Sequence, residues 1–296
     1  MEEIKREFQG ANIWMKKDIE IIQELVAKLN KSESTKTEIL EALEELEYLV
    51  HQIDNARDLD LIGGLALVVD MLNQTDDEIQ SQAAYVIGSA AQSNLPVQAS
   101  LLESGALQLL IRLVMNARTS PTTRKKAMYA LSAMLRLFPT GTKKFLKIGG
   151  LSILASLFQE DGNEPLKIKA LTLLVDLLTE QMNSIKNKAK EMGIQEYEKA
   201  VLKAPLLKGM YEEGWCKLST SLITTTETDT KEKLLQAFQI LIPACRTEWK
   251  QDTKLKETVK LWREQWQSDI HRDSEDDTGY LETLVNLADA IERKCE

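Results

Sequence analysis

The 296 residues carry 37 Lys and Arg against 46 Asp and Glu, a net charge of −9, with 43% of the chain hydrophobic and 28% charged. That apolar content can fill one large core or two ordinary ones, which excludes disorder throughout, and the acidic total disfavours a nucleic-acid backbone as partner. Thirteen Gly and six Pro are too few for the closely spaced turns of a sandwich or barrel, so the expected class is all-α.

In chain order, Met1–Glu7 has neither the basic start nor the apolar centre of a signal peptide; the sequence reads literally as cytosolic and equally as a chain trimmed behind a cleaved signal. No apolar run approaches the ~18 residues of a membrane span, so no membrane insertion is expected. Two amphipathic helices come first. Ile22, Leu25, Val26 and Leu29 stripe one, and Ile39, Leu43, Leu46, Val50 and Ile53 stripe the other.

A repeat then begins. Leu61-Ile62-Gly63-Gly64-Leu65, Leu102-Glu103-Ser104-Gly105-Ala106 and Leu146-Lys147-Ile148-Gly149-Gly150 share one layout, with Gly63, Gly105 and Gly149 spaced by 42 and 44 residues. A fourth copy around Gly214-Trp215 follows 65 residues later, which requires an insertion of about 22 residues near 183–204. After each of the first three glycines a further helix follows, striped by Ile79, Ala83, Ile87 and Ala90, by Ala127, Leu131, Met134 and Phe138, and by Ile168, Leu171, Val175 and Leu178. Thr75-Asp76-Asp77, Ser120-Pro121 and Asn163-Glu164-Pro165 supply the start signals. A helix–Gly–helix–turn–helix unit of this period predicts an α-solenoid of four armadillo-like repeats. The expected division is capping helices over 1–55, repeats over 56–249 and C-terminal capping helices over 250–296, with His271–Thr278 as a loop between the last two. Ile223–Thr226 is the single strand-like stretch and reads equally as loop.

Chemistry is sparse. Gly63-Gly64 and Gly149-Gly150 lack the spacing of a phosphate loop. His51 and His271 stand alone, and Cys216, Cys245 and Cys295 show no paired metal-ligand spacing, so no metal, cofactor or catalytic residue is assigned and the chain does not read as an enzyme. The cysteines are expected as buried free thiols, with a Cys216–Cys245 disulfide as the lesser alternative. Asn30-Lys31-Ser32 and Asn73-Gln74-Thr75 make Asn30 and Asn73 glycosylation candidates.

A solenoid's third helices line a concave binding wall. The Trp-and-Asn ladder of peptide-binding armadillo repeats is replaced by Tyr85, Tyr129 and Thr172 at the Trp position and by Ser89, Ala133 and Asp176 at the Asn position. The candidate partner-binding residues on this wall are Gln82, Tyr85, Lys126, Tyr129, Lys169, Thr172 and Asp176, with the tyrosines foremost because aromatic anchors dominate interfaces. Arg124, Lys125 and Lys126 open a helix at its positive end, a broken local rule that marks a candidate basic patch extended by Lys143, Lys144 and Lys147.

Glu47-Tyr48-Leu49-Val50-His51-Gln52-Ile53-Asp54-Asn55-Ala56-Arg57-Asp58-Leu59, running into Gly63-Gly64-Leu65, resembles the entry segment of the armadillo-type nucleotide exchange factors of 70-kDa heat-shock chaperones. Phe145–Leu151, Leu173–Glu180 and Glu213–Cys216 extend the likeness over roughly residues 40–290, and Tyr48–Gln52 and Gly214-Trp215 look like the SIL-type co-chaperone of endoplasmic-reticulum BiP. The sequence departs from that type in lacking a signal peptide and in ending on Arg293-Lys294-Cys295-Glu296, unlike a KDEL retrieval signal. The resemblance implies a protein of the endoplasmic-reticulum lumen, its signal peptide removed, that wraps one lobe of the chaperone's ATPase domain and promotes ADP release; the oligomeric state is open, with a monomer favoured. A cytoplasmic location, and a scaffold or peptide-binding armadillo protein without exchange activity, are the alternatives. Asp54 and Asn55 are expected to cap the first repeat helix.

Overall fold

The computed structural model describes residues 16–188, 199–270 and 278–295. Among the described residues there is no strand, and Ile223–Thr226 is turn and coil. The chain divides into two compact units, Met1–Met134 and Leu135–Glu296.

The first unit holds α1 (Asp18–Leu29), α2 (Lys36–Leu49), α3 (Ile53–Leu61), α4 (Gly64–Met71), α5 (Asp77–Ala91), α6 (Leu95–Glu103), α7 (Ala106–Met115) and α8 (Pro121–Leu135). Helix starts follow local chemistry. Thr35 and Glu38 form a reciprocal capping box at α2, and Asp76 Oδ1 accepts from the N–H groups of Glu78 and Ile79 at 3.0 and 3.2 Å. At α8, Ser120 Oγ accepts from the Thr123 N–H at 3.2 Å just before Pro121.

Between the first and second helix of each repeat the chain reverses through a left-handed glycine, with φ of 79° at Gly63, 81° at Gly105, 78° at Gly149 and 76° at Gly214. A Cβ at any of these four meets nothing within 4 Å, so backbone conformation alone selects glycine there. Gly64 differs, because its Cβ would lie 2.5 Å from the side chains of Leu59 and Val26.

Polar rungs one repeat apart lock successive units. Asn94 Nδ2 donates to the Ile53 carbonyl at 3.1 Å, Ser100 Oγ to Asp60 at 2.6 Å, and Arg112 Nη2 to the Leu72 carbonyl at 3.0 Å. The Ser120 N–H and the Thr123 hydroxyl both donate to the Asp77 carboxylate, at 3.1 and 2.9 Å. The Arg112 bond satisfies the carbonyl of Leu72, the C-cap residue of α4, where the intrahelical ladder runs out; the others tie side chains of one repeat to the preceding one.

The second unit continues with α9 (Pro139–Lys147), α10 (Gly150–Ser156), α11 (Glu164–Lys188), α12 (Pro205–Glu212), α13 (Trp215–Thr220), α14 (Thr228–Trp249), α15 (Thr253–Ile270) and α16 (Thr278–Cys295). Its core is built on Phe145, Trp215, Phe238, Trp249 and Trp266, all buried. Trp249 packs edge-on against Phe238 at 5.2 Å, and its Nε1 donates to the Cys216 carbonyl at 3.1 Å. Among the described residues no single helix is long and apolar enough to cross a membrane.

Several expectations need correction. Cys216 and Cys245 form a disulfide, with Cα atoms 5.4 Å apart, and only Cys295 is free and buried. α13 and α14 pack side by side, which joins two cysteines 29 residues apart in a way that spacing alone does not reveal. Ile53 does not stripe α2. It opens α3 and is exposed. Neither Asp54 nor Asn55 caps α3, whose N-cap is Gln52 without a side-chain bond. Asn55 is buried instead, and its Nδ2 donates to Asp18 at 2.9 Å and to the Leu49 carbonyl at 3.0 Å, closing the end of α2. Val175 is only half-buried, because the buried face of α11 falls on Leu171, Leu174 and Leu178. The insertion's first residues extend α11 to Lys188, and 189–198 lie outside the described residues, as do 271–277 of the expected loop; Thr278 already belongs to α16.

Two stability outcomes follow. Asn55→Ala should lower unfolding stability by about 1–3 kcal/mol by orphaning the Leu49 carbonyl, while Asp54→Ala changes little, as compared by urea midpoints. The double substitution Cys216→Ser, Cys245→Ser should cost roughly 3 to 4 kcal/mol in the chain-entropy picture, read from the same titration.

Candidate functional site

α2, α5 and α8 present a polar-aromatic face in the first unit. Its hub is Glu47. Ser89 Oγ donates to Glu47 Oε1 at 2.7 Å, and His51 Nε2 lies 2.9 Å from the same oxygen. Tyr129 Oη sits 3.5 Å from Ser89 Oγ and accepts from Gln92 Nε2 at 3.2 Å. Tyr85 and Tyr129 tilt together with ring centroids 5.8 Å apart. The Lys126 ammonium stands 4.6 Å above the Tyr85 ring and donates to Gln82 Oε1 at 2.9 Å. A partly desolvated cation–π contact of this kind contributes about 1 kcal/mol.

Charge shapes this face. The Glu47 carboxylate, with partial burial second, pushes the Tyr85 phenol above its ordinary pKa and keeps it a neutral donor. Burial lowers the Lys126 ammonium, against the attraction of Glu47 and Glu44. Beside Lys126 opens a concavity of about 520 Å³ whose wall includes Glu44, Ser81, Gln82 and Thr122. Four sequence-chosen residues, Gln82, Tyr85, Lys126 and Tyr129, therefore meet, all half-buried.

The other three lie on α11 in the second unit. Lys169 is exposed, Thr172 half-buried, and Asp176 accepts from Arg136 Nε at 2.8 Å. At the ladder's Asn position Ser89 and Ala133 are 2% and 4% exposed, too buried to meet a peptide.

The basic-patch reading fails at Arg124 and Lys126. Arg124 is buried, and its Nε donates to the Val114 carbonyl at 2.7 Å, so its charge serves the C-terminal end of α7, where a cation is favourable. Lys126 turns onto Tyr85. Lys125, Lys143 and Lys147 remain exposed. Asn30 and Asn73 both lie in exposed turns, and Asn73 Oδ1 accepts from Arg112 Nη2 at 3.0 Å. Among the described residues no group of three or more His, Cys, Asp and Glu could hold a metal.

Sequence reasoning missed Glu47 and Gly88. Glu47 stood out only as the first residue of the family-like segment, because its partner Ser89 lies one repeat away. Gly88 makes room for Tyr129, since a Cβ there would come 2.4 Å from the ring.

Helical repeats turning on left-handed glycines, with a locked face of tyrosines and hydrogen-bonding groups, define an armadillo-type protein. A designed armadillo repeat protein matches with a TM-score of 0.58 at 15% identity, over 92% of this chain and 99% of the other. The family model "SIL1/FES1/HPBP1 C-terminal domain" covers residues 55–296, and "Nucleotide exchange factor Fes1" covers 2–59. The chain belongs to the SIL1/FES1/HPBP1 family. It is 36% identical over 298 residues to nucleotide exchange factor SIL1 of Rattus norvegicus, covering 98% of this chain and 63% of that one. The SIL1 protein of Xenopus laevis is 38% identical over 297 residues, covering 99% and 64%. The chain thus spans just under two thirds of the length of these curated relatives.

Gly88→Ala tests the packing of this face. Helix propensity alone would raise stability by about 1 kcal/mol. The clash with Tyr129 should reverse the sign, so the urea midpoint falls; a rise would show that Tyr129 is free to swing away.

Proposed function

We propose that this chain is a nucleotide exchange factor that binds the ATPase domain of a 70-kDa heat-shock chaperone and speeds ADP release without catalytic residues. The observation that carries the reading is the match along nearly the whole chain to relatives named as nucleotide exchange factors. The half-buried polar-aromatic face suits the task, because it offers pre-ordered anchors rather than reacting groups. The proposed contact residues are Gln82, Tyr85, Lys126 and Tyr129 in the first unit and Lys169, Thr172 and Asp176 in the second. In this reading residues 1–55 and 250–296 cap the four repeats.

The mechanism is a coupling free energy. A protein that binds the opened, ADP-free domain more tightly lowers ADP affinity by the same factor, and ADP weakens the protein reciprocally. A hundredfold faster loss of ADP requires only about 2.7 kcal/mol of differential contact. ATP rebinding then releases the factor.

BiP of the endoplasmic-reticulum lumen is the favoured partner. The Cys216–Cys245 disulfide supports an oxidising compartment, and the exposed turns at Asn30 and Asn73 suit glycan attachment there.

Stopped-flow release of a fluorescent ADP analogue from the BiP ATPase domain tests the reading. The chain should accelerate release, and a Tyr85→Ala, Tyr129→Ala double variant, folded by circular dichroism, should lose at least tenfold in affinity. No acceleration with BiP or with a cytosolic 70-kDa chaperone would refute exchange activity, and full affinity in the double variant would refute the contact surface.

A further inference from the structure

Leu137 breaks a local rule that its own repeat partner keeps. It lies in the turn between α8 and α9, with φ of 56°, in the left-handed region. The equivalent turn between α5 and α6 carries Ser93 at φ of 51°, and the residues that follow, Asn94 and Phe138, have φ of −117° and −128°. The turn therefore demands left-handed backbone in both repeats. A small polar residue is the ordinary solution, whereas a bulky leucine there is strained and uncommon.

The leucine gains no burial in return. The residue is 65% exposed. Its backbone N–H donates to Glu180 Oε2 at 2.9 Å, and burial raises the pKa of that carboxyl against the stabilising pull of this bond. Glu180 lies where α11 runs on beyond the length of α5 and α8, 25 residues against 15. Glu180, Asn183, Ser184 and Asn187 recur at helical spacing on one face of that extension, and with Leu137 they line a concavity of about 500 Å³. This wall carries one carboxylate and neutral hydrogen-bonding groups and no cation. Next along the chain, Arg136 is bonded to Asp176, so the site is continuous with the α11 part of the contact surface.

We propose that Leu137 is an apolar anchor held out for the chaperone ATPase domain, seating in an apolar notch bordered by hydrogen-bond donors. The inference rests on the exchange-factor reading and adds a contact residue to it. Strain without burial is what a binding residue shows when stability has been given up for recognition. The wall's lone negative charge complements backbone N–H, Lys or Arg groups around the notch.

Two variants of the full chain test the proposal. Leu137→Asn suits left-handed backbone and removes the anchor, so its thermal midpoint should rise by about 2 °C while affinity for the BiP ATPase domain falls at least tenfold. Leu137→Ala keeps the strain, so it should lose affinity equally without the rise. Unchanged affinity in both variants, with wild-type protein still accelerating ADP release, overturns the anchor and leaves the exchange reading standing. Wild-type protein that neither binds nor accelerates release overturns both. A wild-type dimer in sedimentation that Leu137→Asn converts to monomer, at unchanged chaperone affinity, makes the occupant a second copy and also overturns the proposal.

Discussion

The left-handed glycine between the first and second helix of each repeat is the constraint on which the structure depends. At Gly63, Gly105, Gly149 and Gly214 the chain must reverse within one residue, and no neighbouring atom crowds the site. The requirement is conformational. Where a second glycine follows, the reason is different: a Cβ on Gly150 would fall 2.3 Å from the Phe145 ring, so Gly150 lets the second helix close onto the first. Together these glycines bring each second helix under the first and set the third helix of one repeat beside that of the next within a unit.

The polar-aromatic face follows from that stacking. Glu47, Ser89 and Tyr129 come from three third helices, or their counterpart in the cap, and meet because the repeats place them in register. The network fixes the tyrosines before any partner arrives, so binding loses less side-chain freedom than a loose surface would. In the proposed function, such a face would discriminate between two conformations of the chaperone domain, and that differential is all exchange requires.

Local signals made much of this legible in the sequence. The glycines repeat because φ is a single-residue property, and the apolar stripes repeat because burial follows the helical period. Tyr85, Tyr129, Lys126 and Gln82 could be chosen together because they occupy the same positions on successive helices. What escaped depends on partners on other helices. Arg124 serves a carbonyl of the preceding helix, Asn55 closes α2 while sitting in α3, and Glu47 finds Ser89 42 residues on. The Cys216–Cys245 pairing needed α13 and α14 side by side. Leu137 escaped for another reason, since an unfavourable φ at a leucine leaves no mark in composition or periodicity.

Reciprocity of the coupling tests the central claim most directly. Calorimetric titration of this protein into the BiP ATPase domain, nucleotide-free and ADP-saturated, should give weaker binding with ADP. Titration of ADP into the domain, alone and saturated with this protein, should weaken by the same factor. Equal affinity of this protein for the nucleotide-free and the ADP-bound domain would contradict the account.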